Sequence, residues 1–236
     1  MVIYPRPAKS TWHEKREPDA RSDNRPPPQT PRRRNMRAKD REAQILSEAV
    51  RFFAECGFEG QTRELAKRMG ISHAVIYRHF KSKDALIERV YDQIYVKRWN
   101  PAWEPLVLDR SRCLKDRLTQ FYLEYAERVF DYDWVRIFVS SGLKSYGLSE
   151  RYLDLISEKL IRPAAHELRF ERNEGNLDRP LDPEEVELFW GLHGSVFYIA
   201  IRKFVYNVVV DLDVNVAVTN TVSTFFDGVS PGHKVP

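Results

Sequence analysis

The segment from Thr62 to Phe80 constrains the fold of this chain most, because it places three residue types where two short helices and a tight turn need them. Ala66 is small enough to let one helix approach its neighbour closely. Gly70, four residues later, permits the turn, since glycine adopts backbone angles that other residues avoid. Ile76, six residues after Gly70, can fill the joint between the helices. This spacing predicts a helix-turn-helix.

Start and break signals for further helices continue along the chain, in which apolar residues recur at helical spacing from Asp40 onward. Ser72 and Ser82 stand where N-caps of two successive helices are expected, because their hydroxyls can accept hydrogen bonds from free backbone N–H groups. Asp182 precedes a proline and two glutamates, which is typical of a helix start. Pro163 lies inside an apolar periodic run and predicts a kink or a break there.

Two stretches depart from the simple helical pattern. The helix that follows Ser82 is predicted to reach about Trp99, where Pro101 and Pro105 interrupt the pattern. The stretch 205–218 is rich in valine, a residue typical of strands, but no partner strand is evident. We therefore predict an all-α fold, in which an N-terminal three-helix helix-turn-helix domain precedes a larger helical domain.

Charge is distributed unevenly along the chain. Residues 1–39 carry 11 Lys and Arg against 4 Asp and Glu, whereas residues 101–236 carry 16 against 21. Seven prolines and very few apolar residues in the N-terminal segment predict a disordered, basic tail over 1–39. A basic end on an otherwise acidic protein indicates a polyanionic partner for that end. Met36 offers an alternative translation start.

Several classes of protein do not fit the sequence. Cys56 and Cys113 are far apart and form no metal-ligand spacing, so we expect two reduced thiols and no metal site. An apolar run of the ~20 residues that a membrane span needs is absent, as is a signal peptide, which favours a cytoplasmic protein without a membrane partner. Catalytic signatures such as HExxH, GxSxG, a glycine-rich phosphate loop or paired carboxylates are also missing. We expect neither an enzyme nor a cofactor.

A resemblance to a known family covers about residues 41–92. The matching features are Gly57-Phe58, Thr62, Leu65-Ala66, Gly70-Ile71-Ser72, Ile76-Tyr77-x-x-Phe80 and Lys81-Ser82-Lys83-x-x-Leu86. With these features the N-terminal part resembles the DNA-binding domain of TetR-family transcriptional regulators, although the interval from Gly57 to Gly70 is one residue shorter than the family pattern. The resemblance implies a DNA-binding domain over 40–86 and an effector-binding and dimerisation domain over 87–230.

The resemblance also implies DNA-contacting roles. The start of the recognition helix should face the major groove, and other positions should contact phosphates, adjacent bases or the DNA backbone. The expected contacts are Ser72, His73, Ala74 and Val75 in the groove, Tyr77 and His79 on phosphates or adjacent bases, Lys83 on a phosphate, and Thr62 and Arg63 against the backbone. As alternatives, His73 and His79 could bind a metal, although no Cys or carboxylate completes a set, and Tyr77 could belong to the core.

In the family that this chain resembles, the C-terminal half forms a dimer and holds a small effector. Helices over about 183–207 and 214–226 would form the dimer seam, where the small residues Gly191, Gly194, Ser195 and Ala200 permit close packing. Aromatic density suggests an apolar or aromatic effector. The candidate ligand residues are Tyr122, Tyr125, Trp134, Phe138, Trp190, His193 and Phe197. Packing within the chain is the alternative for both sets.

Together these features predict a homodimeric repressor that leaves a pseudo-palindromic double-stranded operator when an effector binds. One alternative is a DNA-organising protein of the same fold without effector control, and another is a ligand-binding protein that has lost DNA binding. Arg32, Arg33, Arg34, Arg37 and Lys39 precede the first helix and could form an arm that enters the minor groove. A solvated tail remains the alternative.

Overall fold

Helices account for the regular structure of residues 38–143, 146–172, 178–209 and 211–229, which are the residues that the computed structural model describes. This part of the chain contains no strand, and the all-α prediction is confirmed. The α-helices are α1 Ala38–Cys56, α2 Thr62–Arg68, α3 His73–His79, α4 Lys83–Ile94, α5 Trp103–Leu108, α6 Leu114–Val129, α7 Tyr132–Leu143, α8 Leu148–Ile156, α9 Arg162–Glu171, α10 Pro183–Phe204 and α11 Val214–Gly228.

The predicted tail falls almost wholly outside the described residues. Only Ala38 and Lys39 of that segment are described, and both belong to α1. Among the described helices, none is long and apolar enough to cross a membrane.

Helix caps follow the sequence signals at two of three positions. Ser82 Oγ accepts a hydrogen bond of 3.0 Å from the backbone N–H of Ala85, at the start of α4. Asp182 and Glu185 form a reciprocal capping box at the start of α10, where the Asp182 backbone N–H donates to Glu185 Oε2 at 2.8 Å. Ser72 occupies the N-cap position of α3, but its side chain makes no capping hydrogen bond. Its hydroxyl is left exposed at the start of that helix.

Two prolines are accommodated where a missing N–H is harmless. Pro163 stands in the first turn of α9, directly after a π-helical turn over Ser157–Ile161, so the predicted break takes this form. Pro105 lies in the first turn of α5 and does not interrupt the helix, because first-turn N–H groups have no intrahelical partner. The preceding helix, α4, ends at Ile94 instead of Trp99, and a short 3-10 helix over Val96–Arg98 follows it.

Packing joins the N-terminal helices to the rest of the described chain. Helix α1 packs against α2, α4 and α7, and α11 packs against α6 and α10. Buried ion pairs link α6, α9 and α10: Arg117 donates to Glu167 Oε2 at 2.9 Å, and Arg169 donates from Nε to Glu185 Oε1 at 2.9 Å. Both arginine side chains are fully buried. Each buried charge therefore has an opposite charge within hydrogen-bond distance, as buried charges require.

Candidate functional site

The turn between α2 and α3 has a well-defined hydrogen-bond pattern. Gly70 adopts a left-handed conformation with φ of +63°. The Ile71 N–H donates to Ala66 O at 3.0 Å and the Gly70 N–H donates to Lys67 O at 3.1 Å, which together form a Schellman motif. Ala66 and Ile76 are buried. The predicted roles of these residues in the helix-turn-helix are therefore observed.

A polar triad connects the first residue of α2 to α3. Thr62 Oγ1 lies 2.8 Å from His73 Nε2 and 3.1 Å from the hydroxyl of Tyr77. The rings of His73 and Tyr77 meet edge to face at 4.8 Å. Thr62 is buried, whereas Tyr77 is 40% exposed. Three of the residues predicted to contact DNA thus contact one another. The buried Thr62 orients the side chains of His73 and Tyr77.

The remaining predicted contacts occupy the accessible side of the motif. Ser72, Ala74 and Arg63 are exposed, and Val75, His79 and Lys83 are partly exposed. Val75 also packs against the core, so its side chain is only partly available. All six residues are therefore at least partly accessible to solvent, as Tyr77 is.

Cations near the motif differ in whether a carboxylate neutralises them. Arg68 binds Glu55 at 2.5 and 2.8 Å and Glu48 at 2.5 Å, so its charge is compensated within the protein. Other cations of the motif make no ion pair with any described residue, so no carboxylate compensates their charge. They are Arg63, Lys67, Arg78, Lys81 and Lys83. Lys67, Arg78 and Lys81 were not predicted as contacts, because sequence alone does not show which cation is paired.

The seven residues predicted to bind an effector form two groups of contacting rings. Trp134 stacks on Phe138 at 5.3 Å and meets Phe197 at 5.7 Å. His193 lies 5.5 Å from Tyr125, and the other two rings, Tyr122 and Trp190, lie 6.0 and 5.9 Å from His193. We call this set, together with Tyr95 and Tyr152, the aromatic cluster.

Tyr95 and Tyr152 belong to the aromatic cluster but were not predicted. Tyr95, at the end of α4, lies 5.2 Å from both Trp134 and Tyr152. The hydroxyls of Tyr152 and Tyr125 lie 3.3 Å apart. Tyr95 directly follows α4, the helix that begins next to the helix-turn-helix, so the aromatic cluster lies at the end of α4.

Burial changes the ionisation of the aromatic cluster. It lowers the pKa of His193 to about 4, so the imidazole is neutral at neutral pH. Burial also raises the pKa of Tyr95 well above its ordinary value, so its phenol stays protonated. The aromatic cluster therefore presents only uncharged side chains near pH 7.

Trp99, Trp103, Phe121 and Tyr198 are four further aromatic residues outside the aromatic cluster. Trp99 Nε1 donates to Glu104 at 3.3 Å and Trp103 Nε1 donates to Glu124 at 2.8 Å. Phe121 is buried against Trp103 at 5.1 Å, while Tyr198 is 53% exposed on α10. The indole N–H groups of Trp99 and Trp103 therefore have hydrogen-bond partners within the chain.

The outer surface of α10 and α11 is open. Gly191, Gly194 and Ser195 are exposed, and a Cβ at either glycine would meet no atom within 4 Å. A groove of about 550 Å³ runs between the two helices, lined by Leu188, Gly191, Leu192, Ser195, Asn220, Thr221, Thr224 and Phe225. Ala200 is buried within the chain and does not belong to this surface, contrary to the small-residue face expected from the sequence.

Comparisons with known proteins agree with this architecture. Residues 45–90 match the family model described as bacterial regulatory proteins, tetR family. A search of curated proteins gives no match.

Two solved structures share the fold. One is a protein assigned to the TetR family of transcriptional regulators from Mesorhizobium loti MAFF303099, with a TM-score of 0.54 and 15% identity over 81% of this chain and 98% of that one. The other is a TetR family transcriptional regulator from Pseudomonas syringae pv. tomato str. DC3000, with a TM-score of 0.52 and 18% identity over 79% and 95%. The predicted resemblance is confirmed over residues 45–90, which match the tetR-family model, and the two solved structures share the fold of the chain.

Proposed function

We propose that this protein is a sequence-specific, DNA-binding repressor that works as a homodimer. The observation that carries the proposal is the surface of α3, where exposed polar groups and unpaired cations flank a helix fixed to α2 by the Schellman turn and the Thr62 triad. Cations and hydroxyls of this kind bind phosphates, and short side chains allow close approach to base edges.

The roles of individual residues follow from their accessibility. Ser72, His73, Ala74 and Val75, at the start of α3, are assigned to the major groove. Tyr77 and Lys83 are assigned to phosphates, His79 to a phosphate or an adjacent base, and Arg63 to the DNA backbone. Thr62 acts by orienting Tyr77 and His73, because its buried hydroxyl is already within hydrogen-bond distance of both.

Dimerisation is assigned to the outer surface of α10 and α11. Exposed Gly191 and Gly194 permit a helix of a second copy to approach closely, and exposed Leu188 and Tyr198 supply apolar area. A symmetric pair places two copies of α3 on successive half-sites of a pseudo-palindromic operator.

Effector control is assigned to the aromatic cluster. Its member Tyr95 directly follows α4, the helix whose first residue is Lys83. A ligand that binds one dimer geometry more tightly than the other shifts the population between them, and the recognition helices then no longer match the half-sites. The proposal involves no catalytic step and places the protein in the cytoplasm.

Genomic footprinting combined with deletion of the gene tests this proposal. We expect a small number of sites at promoters, and raised transcription of the adjacent genes when the protein is absent. Many scattered sites with unchanged transcription would favour the DNA-organising alternative. Absence of any footprint would favour a ligand-binding protein without DNA function.

A further inference from the structure

Three polar atoms of the aromatic cluster are buried without a hydrogen-bond partner among the described residues. They are the hydroxyl of Tyr95, Nε1 of Trp134 and Nδ1 of His193. Nearby groups of the same type are satisfied: the Trp103 indole donates to Glu124, and the hydroxyls of Tyr125 and Tyr152 lie within hydrogen-bond distance of each other. Three further buried atoms have no hydrogen-bond partner among the described residues, Arg117 Nε, Ser141 Oγ and Arg202 Nε, and none of them belongs to the aromatic cluster.

A buried polar group without a partner costs about 1–3 kcal/mol, so native proteins keep few of them. The three groups are connected through Tyr152, whose ring contacts Tyr95 and Trp134 and whose hydroxyl lies 3.3 Å from that of Tyr125, the neighbour of His193. Such a connected set calls for a common explanation. The polar atoms lie among rings 5.2–6.5 Å apart, an environment suited to a flat apolar body. The missing partners are those that a ligand would supply.

We infer that the aromatic cluster binds an uncharged, planar molecule that carries a hydrogen-bond acceptor for Trp134 Nε1. An indole N–H only donates, so the ligand must accept there. The Tyr95 hydroxyl can donate or accept, and neutral His193 can do either according to its tautomer. The Tyr95 hydroxyl and His193 can therefore pair with a second polar group on the ligand, whether that group is a donor or an acceptor.

Charge on the ligand is disfavoured. The aromatic cluster contains no side chain that is charged near pH 7, and an isolated charge in such surroundings is costly. Arg98, three residues after Tyr95, is paired with Asp131 and also donates to Arg128 O at 2.9 Å, so its charge is already compensated.

Entry is assigned to the side formed by Phe138, Trp190 and Phe197. These rings are only half-buried, whereas Tyr95, Trp134 and Tyr125 are fully buried. Because the rings are in contact, the ligand enters by displacing the half-buried ones. This inference rests on the proposed function for the biological role of the ligand, which is that of the effector.

The ligand-free protein provides the first test. Tyr95→Phe removes an unpartnered hydroxyl, so the melting temperature should stay the same or rise. Tyr152→Phe removes a hydroxyl that faces Tyr125 and should lower the melting temperature. An equal drop in both variants would show that the Tyr95 hydroxyl is already satisfied, and would overturn the inference.

Calorimetric titration of the full chain with three probes of similar size provides the second test. Coumarin is neutral with a carbonyl acceptor, naphthalene has no acceptor, and 2-naphthoate is an anion. Coumarin should bind most tightly, and Trp134→Phe should weaken it about tenfold, the equivalent of one well-placed hydrogen bond. Trp99→Phe, which removes an indole that is already bonded to Glu104, should leave coumarin affinity unchanged.

Coumarin affinity no better than that of naphthalene or 2-naphthoate would overturn the inference, as would an equal loss in both tryptophan variants. Binding of an operator duplex, measured on the same samples, separates the two claims. If the protein binds the operator but lacks this ligand preference, the inference is wrong and the proposed function stands. If it shows the ligand preference but binds no operator, the proposed function is wrong and the inference stands.

Discussion

The hydroxyl of Tyr77 lies 3.1 Å from Oγ1 of Thr62, and the same Thr62 oxygen lies 2.8 Å from His73 Nε2. A residue at the start of α2 therefore holds two side chains of α3. Thr62 is buried, whereas Tyr77 is 40% exposed. The buried threonine therefore orients a phenol ring that is accessible to solvent. The orientation of Tyr77 is set by the helix-turn-helix before any DNA is bound.

Replacing Thr62 with valine should weaken operator binding about fivefold, the equivalent of a hydrogen bond worth about 1 kcal/mol. Valine keeps the shape of threonine but loses the hydroxyl that orients Tyr77 and His73. Fluorescence anisotropy at fixed salt measures the affinity. Thr62→Ser is the matched control and should retain most of it, so an equal loss in both variants would rule out the orienting hydroxyl.

Substitutions on the exposed side of α3 should separate affinity from preference. Tyr77→Phe and Lys83→Ala should weaken binding to all sequences, because both residues are assigned to phosphates. His73→Ala should change which bases are preferred, with a misassigned base contact worth about 1–3 kcal/mol. Competition between operator and mutated duplexes measures the base preference. An unchanged preference in His73→Ala would show that His73 does not contact bases.

Gly70→Ala should lower the free energy of unfolding by about 1–2 kcal/mol, because alanine tolerates the left-handed conformation poorly. Space is not the cause, since a Cβ at Gly70 would meet nothing within 4 Å. Urea unfolding measures the change. Gly142→Ala is the control: Gly142 lies in α7 without a positive φ, and its added Cβ makes an ordinary contact of 3.6 Å with Ser149, so stability should hold or rise.

Glu185 should contribute stability that is lost in acid. Its hydrogen bond with Arg169 lowers its pKa from 4.5 to about 2. A lowered carboxyl pKa gives stability that is fully present above the unfolded-state pKa and declines as pH falls from about 5 towards 2. Glu185→Gln should therefore cost about 2 kcal/mol at pH 7 and flatten this part of the stability–pH profile.

Glu184→Gln is the control for that experiment, because Glu184 is exposed in the same first turn and makes no ion pair with any described residue. Its unfolding profile should follow the wild type. Parallel acid profiles for wild type and Glu185→Gln would contradict the assigned role of the Arg169 pair.

Light scattering should give the wild-type protein twice the chain mass of 27.8 kDa at micromolar concentration. Gly194→Trp should give a folded monomer, because the added side chain extends into open space on α10. Circular dichroism checks that the helices are retained. A wild-type monomer, or a Gly194→Trp dimer of unchanged affinity, would remove the α10 and α11 surface as the dimer seam.

Local features were predictable from sequence where a backbone requirement selects the residue. Gly70 is needed for its left-handed conformation, and Ser82 and Asp182 satisfy free N–H groups within their own turns. Ser72 shows the limit, because its position is that of an N-cap while its hydroxyl makes no capping bond.

Contacts between distant elements were not predictable in the same way. Tyr95 directly follows α4 and Tyr152 lies on α8, and only the fold brings them to Trp134. Ala200 is small but buried, so its residue type alone placed it on the wrong surface, and the pairing of Arg68 with Glu55 cannot be read from the sequence. The face of a helix that a neighbour covers is a property of tertiary packing.

The most direct test of the central claim is selection of DNA from a pool of randomised duplexes with the full-length protein. The proposed dimer predicts a pseudo-palindromic site whose half-site centres lie about one helical turn apart, ~34–36 Å, or a multiple of it. The preferred bases should shift in the His73→Ala variant. Recovery of no enriched sequence, or of a site without two-fold symmetry that is identical for both proteins, would contradict the account.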